Sequence, residues 1–124
     1  MRAFDASIAE LLNGECNSEA IHFVGLGLHD FQMSFGKVRR IQSEYKVAFC
    51  IRGKTAIWHE APLAIPVWTL LGQTPLSFVV SDSLILRMNL DSGDYVEFHS
   101  DEGPYESLIV ELSGKDEAIV MEVY

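Results

Sequence analysis

Alternation of apolar and polar residues along the chain predicts that most of it forms β-strands. From Ile41 to Ile51, apolar or large residues fill the odd positions and mostly polar or small residues fill the even ones. A period of two indicates a strand with one face on a core and one face in water. We therefore expect one strand over 41–51, joined by the tight turn Arg52-Gly53-Lys54 to a second strand over 55–60.

A different periodicity near the beginning of the chain predicts a short amphipathic helix. Apolar residues recur at helical spacing from Ile8 to Leu12. Asp5 is a suitable N-cap residue, and Asn13-Gly14 supplies a stop. The helix is expected to lay its apolar side on the body of the domain.

Proline and glycine residues, which interrupt regular secondary structure, divide the rest of the chain into a short central helix and a run of strands. Pro66 suits the first turn of a helix over 67–71, which Gly72 ends. The strands that follow are Leu76 to Ser81, Leu84 to Leu90, Asp94 to His99, Glu106 to Leu112 and Ala118 to Val123. The expected fold is α+β but mainly β: one domain over 1–124, built of antiparallel meanders in a sandwich or a partly open barrel, with one N-terminal and one short central helix.

The same alternation predicts which side chains face the core. A two-residue turn after Ile51 places Trp58 on the same face as Phe49 and puts His59 on the opposite face. Tyr95, Trp58 and their flanking strands are expected to form an antiparallel core in which Leu86 and Phe98 are buried.

Composition narrows the classes of function. The chain has 124 residues, of which 48% are hydrophobic and 22% charged, which is typical of a globular domain. Its formal net charge of −9 argues against general binding to nucleic acid. No apolar run approaches the roughly 20 residues of a membrane-spanning helix. With no secretory signal and only two cysteines, the expected location is cytoplasmic, away from membranes.

Charge is distributed unevenly along the chain. Residues 37–58 carry six Lys and Arg against Glu44, whereas residues 59–124 carry twelve Asp and Glu against Arg87 and Lys115. Two interpretations stay open: the two segments are neighbours whose fields cancel, or the acidic segment offers a face to a basic protein partner.

The sequence gives little support for a catalytic site. The four histidines, His22, His29, His59 and His99, show no recognised metal-ligand spacing, so scattered histidines are favoured over a zinc site. No GxSxG motif is present, and Cys50 is interpreted as a small packed side chain. We expect no catalytic residues, no cofactor and no bound metal.

Aromatic and acidic side chains that occur together near a loop are candidates for recognition of a partner. Tyr105 follows Gly103-Pro104, and such loop aromatics often anchor partners. Its ring is equally suited to closing one end of the core. The candidate recognition residues are Tyr105, Glu106, Asp101, Glu102, Trp58 and His59.

Several short segments between residues 70 and 112 resemble a group of small bacterial proteins without an assigned function. The segments are Leu70-Leu71-Gly72-Gln73, Leu84 to Leu90, Ser92-Gly93-Asp94-Tyr95-Val96 and Pro104-Tyr105-Glu106-Ser107. The resemblance implies a β-meander with a late Tyr-Glu-Ser element and supplies no catalytic residues. In its small, acidic, mostly β character the chain is also similar to immunity proteins of toxin systems.

These observations favour a non-enzymatic protein-binding module of immunity-like type. The alternative is a small-molecule-binding or hydrolytic domain with a pocket near Trp58, Trp68, His59 and His99. A third hypothesis is a structural subunit without a ligand. We also expect a homodimer, because strands 41–51 and 76–81 carry too many apolar residues to lie as bare edges.

Overall fold

A computed structural model describes residues 4–59, 66–100, 108–113 and 119–124, with the backbone alone for 119–123. In these ranges it contains ten strands, one α-helix and one 3-10 turn. No helix in them has the length and hydropathy needed to cross a membrane. The elements are α1 (Ala6–Asn13), β1 (Ile21–Leu26), β2 (Phe31–Phe35), β3 (Val38–Ser43), β4 (Val47–Ile51), β5 (Lys54–Trp58), the 3-10 turn (Val67–Leu70), β6 (Pro75–Asp82), β7 (Ile85–Leu90), β8 (Tyr95–His99), β9 (Leu108–Ser113) and β10 (Ile119–Val123).

Two five-stranded antiparallel sheets pack face to face. Sheet A has the order β1-β2-β3-β9-β10, and sheet B has the order β5-β4-β8-β7-β6. Aromatic rings join them across the core: Phe31 meets Phe49 edge-on at 5.3 Å, and Phe35 stacks on Phe78 at 5.9 Å between centroids. This is a β-sandwich whose sheets do not close into a barrel, and it confirms the predicted mainly antiparallel β fold.

The strand predicted over 41–51 is wrong as a single element. The chain leaves sheet A after Ser43 and enters sheet B at Val47, so β3 and β4 lie in different sheets. At the crossing, the Tyr45 N–H donates to the buried Ser43 Oγ at 3.3 Å. Alternation continues through the crossing because the inner faces of both sheets point into one core. A period of two therefore does not reveal where the chain changes sheet.

The hairpin between β4 and β5 is confirmed. Arg52 and Gly53 have φ of 55° and 78°, the left-handed pair of a type I′ turn, whose twist matches that of the strands it joins. In the resulting register Val47 pairs with Trp58, which is 3% exposed. Trp58 and Phe49 therefore share the inner face, as the alternation predicted.

Helix α1 is also confirmed, and it covers the edge of sheet B. Asp5 caps it by accepting a hydrogen bond from the first turn. At its last residue, the Asn13 side chain donates to Phe78 O at 3.0 Å and accepts from Phe78 N at 2.6 Å. Asn17 donates to Leu76 O at 3.0 Å. These amides occupy main-chain groups of β6 that another strand would otherwise take.

The segments 41–51 and 76–81, which were expected to need a covering partner, are not bare edges of a sheet. β3 lies between β2 and β9, β4 lies between β5 and β8, and β6 is covered by α1. The expectation that these strands need a second copy of the chain to cover them is therefore wrong. Within the described parts of the chain, the remaining edge strands are β1, β5 and β10.

The short central helix is a single 3-10 turn. The N–H groups of Thr69 and Leu71 donate to carbonyls three residues earlier. Gly72, with φ of 85°, ends it, and its N–H donates to Ile21 O at 2.9 Å. The turn is thereby tied to the beginning of β1.

Candidate functional site

The outer face of sheet B, turned away from sheet A, carries a depression of about 430 Å³. In the row across the sheet, the small Ala48 lies between Ile57 of β5 and Glu97 of β8. A methyl group between two longer side chains leaves a hollow there. The lining residues are Ala48, Phe49, Thr55, Ala56, Ile57, Tyr95 and Glu97. We call this surface the Tyr95 face.

Arg87, Tyr95 and Glu97 form the polar side of the Tyr95 face. Arg87 and Glu97 are direct cross-strand partners, and Tyr95 precedes Glu97 by two residues on the same face of β8. Arg87 Nε and Nη2 donate to Glu97 Oε2 at 3.0 and 2.7 Å. The guanidinium carbon lies 4.0 Å from the Tyr95 ring centroid. Each contact contributes at most about 1 kcal/mol at a partly exposed site, but together they fix the orientation of all three side chains.

His99 extends this row by two residues along β8. Its Nε2 lies 3.8 Å from Glu97 Oε1, too far for a hydrogen bond, and that nitrogen is buried without a hydrogen-bond partner among the described residues. Burial lowers the pKa of His99, the Lys46 charge lowers it further, and the carboxylates of Glu97 and Asp82 only partly oppose this. His99 is therefore neutral at pH 7, beside a carboxylate already engaged by Arg87.

Three of the four residues expected to line a pocket, Trp58, His59 and His99, lie at the same end of sheet B, although the Trp58 side chain is buried on the inner face. The His99 N–H donates to Lys46 O, and His59 follows the residue that pairs with Val47, so both histidines flank Lys46. The His59 ring also lies 5.0 Å from the Tyr45 ring. His59 is exposed where Trp58 is buried, which agrees with the predicted change of face.

The structure separates Trp68 from this group. Trp68 is 68% exposed on the 3-10 turn, and the chain just after it binds Asp94 through Gln73 Nε2 at 3.0 Å. Asp94 also accepts a hydrogen bond from Arg52 N, at the hairpin end of β5, whereas Trp58 lies at the opposite end of that strand. Trp68 is therefore far along the sheet from the other three residues. The four remaining candidate recognition residues, Tyr105, Glu106, Asp101 and Glu102, lie outside the described residues.

The prediction that Tyr95 belongs to the core is wrong: its side chain is half-buried on the outer face of sheet B, opposite to the buried Val96 and Phe98. The sequence did not single out its neighbours Arg87 and Glu97 as site residues. One signal was available: a tight turn at Asp91-Ser92-Gly93 places Arg87 opposite Glu97 by counting back along both strands. An oppositely charged pair at equal distances from a turn indicates a cross-strand ion pair. The hollow at Ala48 had no such signal, because it depends on which distant strand lies beside β4.

Metal-binding and nucleophilic chemistry are weakly represented in the described ranges. No group of three His, Cys, Asp or Glu residues there is arranged to hold a metal ion. Burial raises the pKa of the Cys16 thiol to about 11, with the Glu15 carboxylate adding to the effect, so this thiol stays protonated and unreactive. Cys50 is half-buried between Thr55 and Tyr95 on neighbouring strands.

Comparison of the chain with known protein families, with curated proteins and with solved structures finds no match in any of the three. The resemblance to small bacterial proteins carried by residues 70–112 stays an expectation.

Proposed function

We propose that this chain is a non-enzymatic protein-binding module that receives its partner on the Tyr95 face. The observation that carries the proposal is the fixed Arg87–Tyr95–Glu97 group beside the depression and the exposed Ile57. Tyrosine and arginine are enriched among residues that dominate binding energy. Since contacts within the domain already restrict these side chains, binding costs less conformational entropy.

The shape of the surface favours a protein over a small molecule. Sites for small ligands bury most of the ligand surface. Here the depression lies on an open sheet face, and Ile57 at its side is 60% exposed. An apolar side chain of a larger partner, inserted over Ala48, fits this shape.

Charge favours different partners at different surfaces. The immunity-like form of the proposal has a basic partner, supported by the net charge of −9 and by exposed acids of the α1 segment, Asp5, Glu10 and Glu19. Around β5, by contrast, Arg52 and Lys54 are exposed. A basic partner therefore fits the α1 segment, and the Tyr95 face fits a partner with local negative charge.

Photo-crosslinking in cells of the source organism tests the proposal. A photoreactive amino acid replaces Ile57 in one variant and Glu10 in another, both at exposed positions. We expect a crosslinked protein from position 57 that is lost when Tyr95→Ala is added. Crosslinking only from position 10 would assign the contact to α1 and refute the Tyr95 face. A copurifying small ligand in native mass spectrometry, with no crosslinked protein, would support the small-molecule alternative.

Self-association stays a prediction, now assigned to another surface. Exposed apolar residues surround β1 and the 3-10 turn tied to it: Phe23 47%, Leu26 44%, Leu28 80%, Trp68 68% and Leu71 46% exposed. Apolar surface of this kind often marks an interface. We expect light scattering to give a homodimer mass that Leu28→Glu combined with Trp68→Glu lowers to the 13.9 kDa of one chain. A parent mass of 13.9 kDa at all concentrations contradicts the prediction.

A further inference from the structure

The edges of the two sheets differ in how they are protected. Asn13 and Asn17 occupy main-chain groups of β6, while β1 is tied to Gly72 and has an irregular register near its beginning. β5 has β4 as its one strand neighbour among the described residues, with a continuous register and no proline. Natural sheets usually block such a regular edge.

The turn fixes which groups of β5 face outward. A two-residue type I′ loop is closed by a hydrogen-bonded pair, here Ile51 and Lys54. Because bonded and non-bonded pairs alternate in an antiparallel ladder, the main-chain groups of Thr55 and Ile57 point away from β4. Both residues also line the depression. As far as the described residues go, the outward edge of β5 and the hollow are therefore parts of one surface.

The charged residues of β4, β5 and the turn between them are all basic, whereas the nearby Glu97 is paired with Arg87. Between Tyr45 and His59 the chain carries Lys46, Arg52 and Lys54 and no Asp or Glu. Arg52 and Lys54 are exposed at the hairpin end of β5. A second copy of β5 would bring like charges together, whereas an acidic segment is attracted.

We propose that an extended segment of the partner, with acidic and apolar side chains in alternation, adds to β5 as a sixth strand of sheet B. Its main chain pairs with Thr55 and Ile57, one apolar side chain packs against these two residues at the margin of the hollow, and its carboxylates lie near Arg52 and Lys54. Main-chain pairing supplies affinity, and the hollow and the charges supply specificity. This inference rests on the proposed function and names the chemistry of its partner.

The test uses Thr55→Pro, with Thr55→Val as its matched control. Proline removes an outward N–H that β4 does not use, and an exposed edge strand tolerates it; valine keeps the N–H and the strand preference. The probe is a phage-displayed library of random linear peptides, from which enriched sequences are synthesised. We expect acidic, alternating peptides whose affinity falls about tenfold for Thr55→Pro, the equivalent of one or two lost hydrogen bonds, and stays within about twofold for Thr55→Val. Added salt should also weaken binding.

The outcomes separate this inference from the proposed function. Peptides that lose affinity with Tyr95→Ala but bind Thr55→Pro and Thr55→Val equally would leave the Tyr95 face as a binding surface and refute strand addition. Enrichment of basic peptides on the parent also refutes strand addition. So does a result in which the parent enriches only peptides that the Thr55→Pro variant enriches as well. A parent dimer that Thr55→Pro alone converts to monomer would assign the edge to a second copy. In each case crosslinking from position 57 decides the proposed function separately. Circular dichroism of both Thr55 variants must match that of the parent.

Discussion

Replacement of Leu86 by alanine is expected to lower the free energy of unfolding by about 2–5 kcal/mol, the usual range for truncating a buried leucine. Leu86 is fully buried on the inner face of β7, where it pairs with Phe98 of β8 and Val80 of β6. Hydrogen-bonded strands on both sides limit how far the structure can relax into the space left behind. A cavity term therefore adds to the lost transfer free energy.

Urea denaturation followed by circular dichroism measures this effect. Leu76→Ala is the matched control, because Leu76 is 41% exposed on β6 and should lose much less, within about 0.5–1 kcal/mol. Equal stability of Leu86→Ala and the parent would show that the inner face has been assigned incorrectly. The comparison requires that the slope of the unfolding free energy against urea concentration is the same in the variants and the parent.

The second large effect is expected for Asp94→Asn. Asp94 is 8% exposed, and its carboxylate accepts from Arg52 N at 2.9 Å and from Gln73 Nε2 at 3.0 Å. An amide can accept from only one of these two donors and turns its own NH₂ toward the other. One partly buried N–H thus loses its bond to a charged acceptor, although Gln73 Nε2 keeps its second bond, to Thr69 O, and we expect a loss of about 1–3 kcal/mol. Asp91→Asn is the control, since Asp91 accepts one hydrogen bond, from Thr74 N, which an amide oxygen keeps.

The Asp94 effect should also depend on pH. Burial raises the pKa of Asp94, but the hydrogen bonds from Arg52 and Gln73 outweigh it, and the net pKa is lowered. A carboxyl whose folded pKa is lowered stabilises the fold above its unfolded pKa of about 3.9 and loses that contribution as pH falls through the folded value. The gap in stability between the parent and Asp94→Asn should therefore narrow from about pH 5 toward about pH 3. A gap that stays constant over this range contradicts the assignment.

The parts of the fold that could be predicted from the sequence are those fixed by local chemistry. Asp5 begins α1, and Arg52-Gly53 makes the type I′ turn, both because a few neighbouring residues decide the backbone conformation. The turn at Asp91-Ser92-Gly93 likewise sets the register of β7 against β8. Each of these features depends on contacts within about ten residues of the turn or cap.

The parts that could not be predicted depend on contacts between distant segments. The change of sheet between Ser43 and Val47 leaves the alternation intact, so hydrophobicity carries no trace of it. The same holds for the hollow on the Tyr95 face, which needs Glu97 to lie beside Ala48. The sequence shows that Ala48 is small, but only the strand order of sheet B shows that its size leaves an opening.

The pairing of β3 with β9 has a consequence for how the molecule forms during synthesis. Val38 pairs with Leu112, and Ser43 pairs with Leu108, although about 65 residues separate the two strands. At elongation rates of about 5–20 residues per second, β9 leaves the ribosome roughly 3–13 s after β3. During that interval the β1–β2–β3 meander can form both of its own ladders, but β3 still lacks its partner β9 and presents an unpaired edge. A chaperone or the ribosome surface that shields Val38 and Ile41 in this interval would protect the nascent chain from aggregation through this edge.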